Sequence, residues 1–270
     1  MDPEAPIHWI LLRGLVREAR HWGPFTGRLQ EAFPRDTVVT PDLPGCGLRK
    51  SEKSPLSIDG YASAIEDEIA ALPGPRVMVA LSLGGMVALS LRQRRPELLQ
   101  GLVLINSSAA WLSPCFRRVR PAAWPNLLAS LWRLNPASRE AGILRLVSNS
   151  PEARAEALPL WTRIQKDRPL NRLSALRQLT AAASFRLPAE CPELPSPVLV
   201  LSSQQDRLVH PSCSTLLARH LKAPQIIHPG AGHDLPLDAP AWLLHQLGDF
   251  RRRIVSRSSE PHLISSKNMI

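Results

Sequence analysis

Residues 77–89 read Val-Met-Val-Ala-Leu-Ser-Leu-Gly-Gly-Met-Val-Ala-Leu, and this run decides the fold. A short apolar stretch typical of a buried strand stops at Ser82, and two glycines follow before a helical pattern begins. A strand, a sharp turn and a helix in this order form a nucleophile elbow, which exposes the serine Oγ at the end of the strand. Gly84 and Gly85 allow the helix to lie close to the strand. We therefore predict that Ser82 is a nucleophile.

The first position of this turn departs from the usual pattern. A nucleophile elbow usually reads G-x-S-x-G, and here Ala80 takes the place of the first glycine. Alanine is the next smallest residue, so we expect the turn to form. Serines in glycine-rich turns are common, however, and the assignment of Ser82 depends on a base and an acid elsewhere in the chain.

A candidate acid and a candidate base each follow a predicted strand. Asp206 comes after the apolar run 198–201, and His233 lies in a glycine-flanked loop after the run 225–228. The order serine, acid, histidine is the one that this strand–turn–helix architecture uses. We expect His233 to accept the Ser82 proton, and Asp206 to fix the tautomer of the ring and stabilise its charged form.

Neighbouring side chains offer alternatives for these two roles. Three other histidines are predicted to be structural or exposed, namely His210, His220 and His228. Asp234 and Asp238 follow His233 closely and are typical of capping or loop carboxylates. Asp206 is the better candidate because it follows a different strand and approaches His233 from the side.

Two N-terminal motifs extend the pattern. The strand-like run 7–12 leads into Arg13-Gly14-Leu15-Val16, and residues 41–47 read Pro-Asp-Leu-Pro-Gly-Cys-Gly. With the elbow and the histidine loop, they make the chain resemble the α/β-hydrolase superfamily over nearly its whole length. Within it the chain is similar to the small serine carboxylesterases, including those that act on pimeloyl-carrier-protein methyl esters. The resemblance implies an oxyanion hole made by the backbone N–H groups of Leu83 and Leu15, with Arg13 where the family usually has histidine.

The order of predicted elements favours an α/β fold with a mostly parallel central sheet flanked by helices. Strand patterns lie near 7–12, 37–40, 76–80, 101–105, 197–202 and 224–228, and helical patterns near 18–32, 58–71, 84–95, 211–222 and 239–253. The resemblance implies that the long segment with little strand character between them is an inserted helical cap. We therefore expect a hydrolase core at 1–106 and 188–254, a cap at 107–187 and a disordered tail at 255–270.

Composition agrees with a soluble enzyme, and we expect the protein to be cytoplasmic. Hydrophobic residues make up 44% of the 270 positions, and no apolar run approaches the length of a membrane span. The first residues lack the basic start and apolar core of a signal peptide. Four scattered cysteines suggest free thiols in a reducing compartment. Neither a metal-ligand cluster nor a phosphate loop is visible, so we expect no cofactor and no metal.

The charge is concentrated in the predicted cap. Residues 107–187 hold 13 basic and 4 acidic side chains, and four of the seven tryptophans. This excess predicts an anionic partner: an acidic carrier protein, an anionic membrane surface or an acidic small substrate. The alternative is that the arginines form a solvated helix face. Nucleic acid is not expected, and we expect Trp132 and its neighbours to form cap core or pocket wall.

These observations together predict a serine hydrolase that cleaves carboxylic esters through an acyl-enzyme. Three alternatives stay open: a thioesterase or hydrolase of carrier-linked esters, a lyase that reuses the triad as a base, and a non-catalytic binding protein of the same fold.

Overall fold

A single parallel sheet organises the computed structural model, which describes residues 6–189 and 196–259. Six strands within this part of the chain lie in the order β2-β1-β3-β4-β5-β6, and each neighbouring pair is parallel. They are β1 (His8–Leu12), β2 (Thr37–Val39), β3 (Arg76–Leu81), β4 (Gly101–Ile105), β5 (Val198–Ser203) and β6 (Gln225–His228). The predicted fold class is confirmed, and each strand lies within one residue of its predicted position.

Helices cover both faces of the sheet. In chain order the helices are α1 (Phe25–Ala32), α2 (Ile58–Ala70), α3 (Leu83–Arg94), α4 (Cys115–Arg118), α5 (Trp124–Trp132), α6 (Pro136–Val147), α7 (Pro151–Asp167), α8 (Arg172–Ser184), α9 (Ser212–His220), α10 (Leu235–Asp238) and α11 (Pro240–Ser259). Side chains alternate along each strand, so Ile10 and Leu12 pack towards α2, α3 and α9, whereas Trp9 and Leu11 pack towards α1 and α11. The four central strands, β1, β3, β4 and β5, are therefore buried on both faces, whereas the outer strands β2 and β6 are partly exposed.

The strand order fixes where a ligand can approach. Strand β1 lies between β2 and β3, so the chain winds to one side of β1 and then returns to the other. In open parallel sheets such a reversal opens a crevice at the carboxyl ends of the strands. The loop after β1 begins at Arg13 and the turn after β3 contains Ser82, so both segments meet at this crevice.

Two helix boundaries differ from the sequence prediction. The segment predicted as one helix at 18–32 is a short 3-10 helix, Ala19–Trp22, followed by α1. Gly23, at φ 53°, and Pro24, which lacks an N–H, break the regular hydrogen bonding between them. Helix α11 continues to Ser259, inside the predicted disordered tail, and Ile254 is buried against the sheet face. The rest of that tail lies outside the described residues.

Helices α4 to α8 connect β4 to β5 and lie inside the predicted cap, 107–187. They form a small core of their own, in which Leu144, Trp161 and Ile164 are buried. Helices α6, α7 and α8 each begin at a polar residue whose side chain accepts a backbone N–H of the first turn, namely Asn135, Ser150 and Asn171. Local capping and a separate core thus stabilise these helices apart from the sheet.

The tryptophans of this segment have different environments. Trp161 is 2% exposed and belongs to the core of these helices, whereas the expectation that Trp132 forms cap core or pocket wall was wrong, because that residue is 70% exposed. The Arg172 guanidinium lies 5.1 Å from the centre of the Trp132 ring and covers part of it.

Across the described ranges, no helix combines the length and apolarity needed to cross a membrane.

Candidate active site

Ser82 lies at the tip of a strained turn between β3 and α3. Its φ is 57°, a left-handed conformation that costs free energy in a residue other than glycine. The Ser82 N–H donates to the Ile105 carbonyl at 2.8 Å, and Ser107 Oγ donates to the Ser82 carbonyl at 2.8 Å. These two hydrogen bonds from the neighbouring strand end hold the turn in its strained form.

The two glycines after Ser82 are required by close packing. A Cβ on Gly84 would lie 2.6 Å from the carbonyl oxygens of both Leu12 and Arg13. A Cβ on Gly85 would lie 2.6 Å from Ser107 Oγ. Neither glycine can gain a side chain without displacing the loops beside it. Ala80, in contrast, is fully buried in the sheet, where its methyl group joins the core.

His233 and Asp206 form a buried hydrogen-bonded pair. His233 Nδ1 lies 2.7 Å from Asp206 Oδ2, and the two residues are 3% and 1% exposed. Asp206 Oδ1 accepts the backbone N–H groups of Leu208 and Val209 at 2.7 and 2.9 Å, which holds the carboxylate in place. Because a carboxylate accepts the proton on Nδ1, the neutral ring presents Nε2 as a base.

Asn106, the first residue after β4, supports the histidine loop. Its amide Nδ2 donates to the His233 carbonyl at 2.8 Å and to Ser203 Oγ at 3.0 Å, and its Oδ1 accepts the Ser203 N–H. Asn106 also has a positive φ, 47°, which a short polar residue tolerates better than most. Sequence reasoning missed this residue, since asparagine is common in turns that follow a strand and have no catalytic role.

The structure therefore joins His233 and Asp206 by a hydrogen bond, and Ser82 is not part of this hydrogen-bonded pair. Within 6–189 and 196–259, Ser82 Oγ makes no hydrogen bond to His233. Hydrogen bonds between nucleophile and base are often long in structures without substrate and shorten when substrate binds.

The alternative histidines have partners of their own. His228 Nδ1 accepts the backbone N–H groups of Gly230 and Ala231, and its ring meets the face of Trp242. His210 contacts Ser212, and the ring of His220 meets Trp111 edge-on. These contacts agree with the structural or surface roles that the sequence predicts for the three histidines.

The two alternative carboxylates also have other partners. Asp238 accepts the N–H groups of Gly232 and Asn149, each at 2.7 Å, and so braces the histidine loop. Asp234 forms a two-pronged ion pair with Arg13, with distances of 3.2 and 2.5 Å, in which both side chains are 4% exposed. Sequence reasoning missed this ion pair, which joins the loop after β1 to the loop that carries His233.

The loop after β1 passes directly beside Ser82. A Cβ on Gly14 would lie 3.1 Å from Ser82 Cβ, so Leu15 follows at the position where an oxyanion donor is expected. Leu83 is the first residue of α3, and the N–H groups of a first helical turn have no partner within the helix. The helix dipole adds partial positive charge at the same point. Both N–H groups proposed for the oxyanion hole thus belong to segments that meet at Ser82.

A cavity of about 180 Å³ adjoins the Leu15 loop. Leu15 and Val16 line one side, and residues of α5 to α8 line the other, among them Trp124, Leu128 and Leu176. These three side chains are 42%, 50% and 54% exposed, so they also form part of the cavity's outer rim. The lining of this cavity is mostly apolar.

Comparison with known proteins agrees with the fold. A model of the alpha/beta hydrolase family matches residues 9–246. The pimeloyl-[acyl-carrier protein] methyl ester esterase of Nitrosomonas europaea is 29% identical over 226 residues, which span 80% of this chain and 85% of that protein. The lipase LipV of Mycobacterium tuberculosis is 33% identical over 144 residues, which span 52% of this chain and 50% of the lipase.

Among solved structures, a thermophilic esterase from Thermogutta terrifontis superposes with a TM-score of 0.71. The match covers 93% of this chain and 91% of the esterase at 21% identity, so it speaks for the fold alone.

The chain belongs to the alpha/beta hydrolase family. The predicted resemblance is confirmed, and membership of this family together with the esterase and lipase relatives makes the chain a carboxylic-ester hydrolase.

Proposed function

We propose that Ser82, His233 and Asp206 are the catalytic triad of a serine esterase that works through an acyl-enzyme. The observation that carries this proposal is the buried 2.7 Å hydrogen bond between His233 Nδ1 and Asp206 Oδ2, at the same sheet edge as the strained turn of Ser82. Asp206 bonds to Nδ1 of the ring, which leaves Nε2 as the nitrogen that would act as the base, and the turn carries the Oγ that would act as the nucleophile.

The reaction proceeds in two halves. In the first, His233 Nε2 takes the Ser82 proton while Oγ attacks the ester carbonyl, and the N–H groups of Leu15 and Leu83 stabilise the oxyanion. The imidazolium then protonates the leaving alcohol, and an acyl-Ser82 ester remains. In the second half, His233 activates a water molecule that attacks this ester, and the carboxylic acid leaves as Ser82 regains its proton.

For the substrate we propose an acyl ester carried by an acidic carrier protein. Three features support this class: the carrier-linked substrate in the name of the relative from Nitrosomonas europaea, the apolar cavity beside Leu15, and the positive charge of the cap. Six cationic side chains of residues 107–187 are exposed: Arg117, Arg145, Arg163, Lys166, Arg172 and Arg186. Lys166 and Arg172 line a hollow that shares Gln165 and Leu170 with the apolar cavity beside Leu15, which we call the acyl cavity because we propose that it holds the acyl chain.

Two experiments test the two parts separately. For the triad, rapid mixing with a p-nitrophenyl ester should give a burst of one nitrophenol per protein, and mass spectrometry of the quenched sample should find the acyl group on Ser82. Turnover without a burst and without an acylated serine would contradict the mechanism. A lyase or a binding protein would give neither turnover nor adduct.

For the carrier, salt dependence separates the substrates. Hydrolysis of a carrier-linked methyl ester should fall steeply between low and high ionic strength, whereas hydrolysis of a small neutral ester should change little. An equal response of both substrates would remove the carrier from the proposal and leave the cap cations as a solvated face.

A further inference from the structure

The loop that supplies Leu15 to the proposed oxyanion hole is strained at the next residue. Val16 has a φ of 51°, an outlier for a β-branched side chain. Strain of this kind persists only where surrounding contacts fix the backbone. The Val16 N–H and the Leu15 carbonyl lie in one peptide plane, so a contact that holds the Val16 N–H also holds the backbone next to Leu15, one residue after the Leu15 N–H.

One side chain of α8 makes that contact. Gln178 is completely buried, and its Oε1 accepts the Val16 N–H at 2.7 Å. Its Nε2 donates to Cys46 Sγ at 3.1 Å, so the amide is held at both ends. Burial raises the pKa of the Cys46 thiol to about 11, which keeps Cys46 a neutral partner at physiological pH.

Further contacts join the same loop to the helices between β4 and β5. Arg17 pairs with Glu140 of α6 at 2.8 Å, and its guanidinium lies 4.5 Å from the centre of the Trp161 ring in α7. The cavity that adjoins Leu15 is lined by Ala175, Leu176 and Leu179 of α8, the helix that carries Gln178. A group that fills the cavity therefore contacts both the loop and the helix that holds it.

We propose that Gln178 is a positioning residue that aligns the Leu15 N–H for catalysis and makes the oxyanion hole depend on the position of α8. This inference rests on the proposed function, because it assigns Leu15 to the transition state. Gln178 touches neither nucleophile nor base and acts through the backbone of Val16.

The test compares a substitution that removes both hydrogen bonds of Gln178 with one that removes only its hydrogen bond to Cys46. Gln178→Met keeps the length of the side chain but loses the acceptor for Val16, whereas Cys46→Ala removes only the thiol partner. Removing an oxyanion donor costs about 10²–10³-fold in kcat, so misaligning one should cost about 10- to 100-fold. We expect this loss in the acylation rate of Gln178→Met with p-nitrophenyl butanoate, with KM nearly unchanged and Cys46→Ala close to wild type.

A conservative substitution provides the rescue. Gln178→Glu keeps an oxygen acceptor at the same reach, so its acylation rate should lie closer to wild type than that of Gln178→Met. The proposal is overturned if folded Gln178→Met acylates as fast as wild type, or if Gln178→Met and Cys46→Ala lose activity equally. Thermal unfolding of each variant shows whether the protein is folded under the conditions of the activity assay.

Hydrogen exchange separates this inference from the proposed function. The Arg17 N–H donates to the Gly14 carbonyl at 3.2 Å and reports on the closed form of the loop. In Gln178→Met the Arg17 N–H should exchange about 3- to 10-fold faster, which is the factor that corresponds to the free energy of one lost hydrogen bond. In Cys46→Ala the exchange rate of this N–H should not change. Unchanged exchange in Gln178→Met overturns the positioning role. Equal ester hydrolysis by wild type and Ser82→Ala would instead reject the proposed triad.

Discussion

Charged and apolar side chains are covered differently in two regions: the carboxyl ends of the strands around Ser82, and the helices between β4 and β5. At the sheet edge the charged groups are buried and paired, as in His233–Asp206 and Arg13–Asp234. In the helical segment large apolar side chains face solvent, with Trp132 70% and Leu134 83% exposed. The two regions thus differ in how their charged and apolar side chains are covered, and Gln178 of α8 connects them through its hydrogen bond with the Val16 N–H.

Replacement of Ser82 should have the largest effect on activity. Ser82→Ala removes the proposed nucleophile, and loss of a triad serine lowers kcat by about 10⁶-fold. Its thermal unfolding should stay close to wild type, because the side chain is small and half-buried. Ser107→Ala is the matched control, since Ser107 contacts the same turn through the Ser82 carbonyl without acting as nucleophile. Comparable kcat values for the two variants would contradict the assignment.

The acid should come next. Asp206→Asn keeps the shape of the site but stabilises the wrong tautomer of His233, and we expect kcat to fall by about 10⁴-fold. Asp238→Asn changes the other carboxylate that contacts this loop and should lose far less, because Asp238 bonds to backbone and to Ser148 rather than to the ring. A larger loss in Asp238→Asn than in Asp206→Asn would transfer the acid role.

The ion pair between the two loops should affect stability more than chemistry. Arg13→Met leaves Asp234 as a buried unpaired charge, and such losses cost about 3–5 kcal/mol in the free energy of unfolding. The double variant Arg13→Met/Asp234→Leu removes both charges and should recover much of that loss. Urea unfolding of the single and double variants measures the coupling. Additive losses would show that the pair does not hold the loops together.

The smallest effect is expected at the cap surface. Lys166→Glu/Arg172→Glu reverses two charges beside the acyl cavity and should raise KM for a carrier-linked ester by about tenfold, with little change for a small neutral ester. Arg253→Glu is a control with half the change in net charge: Arg253 is exposed on α11 beside Ile254, which lies close to Gly101 at the amino end of β4, away from Ser82. If Arg253→Glu has the same effect, the charge acts through the whole protein and not at a docking site.

Features with a local signature were predictable from sequence. The strands are short apolar runs bounded by glycine, proline or polar residues, and the turn at Ser82 needs small residues at fixed positions. Both features are therefore recognisable in the sequence. Asp206 and His233 could be chosen because each follows a strand of a parallel sheet, whose carboxyl ends share one edge.

Features that depend on distant partners were not predictable. Arg13 and Asp234 are 221 positions apart, and Gln178 meets Val16 across 162 positions. Nothing in the sequence around these residues specifies the partner. The exposure of Trp132 was wrongly predicted for a related reason. The sequence of an apolar helix does not show whether other parts of the protein cover one face of it or all of it. The break between the two helices at Gly23-Pro24 was predictable, because a glycine–proline pair is typical of a turn. The helical pattern on both sides of the pair instead indicated one continuous helix.

The central claim is that Ser82 is an activated nucleophile, and covalent labelling tests it most directly. The folded protein is treated with a fluorophosphonate, weighed intact by mass spectrometry and mapped by peptide. We expect a single adduct on Ser82, absent from Ser82→Ala and slow to form in Asp206→Asn. An adduct on another residue, or none on folded protein, would contradict the claim.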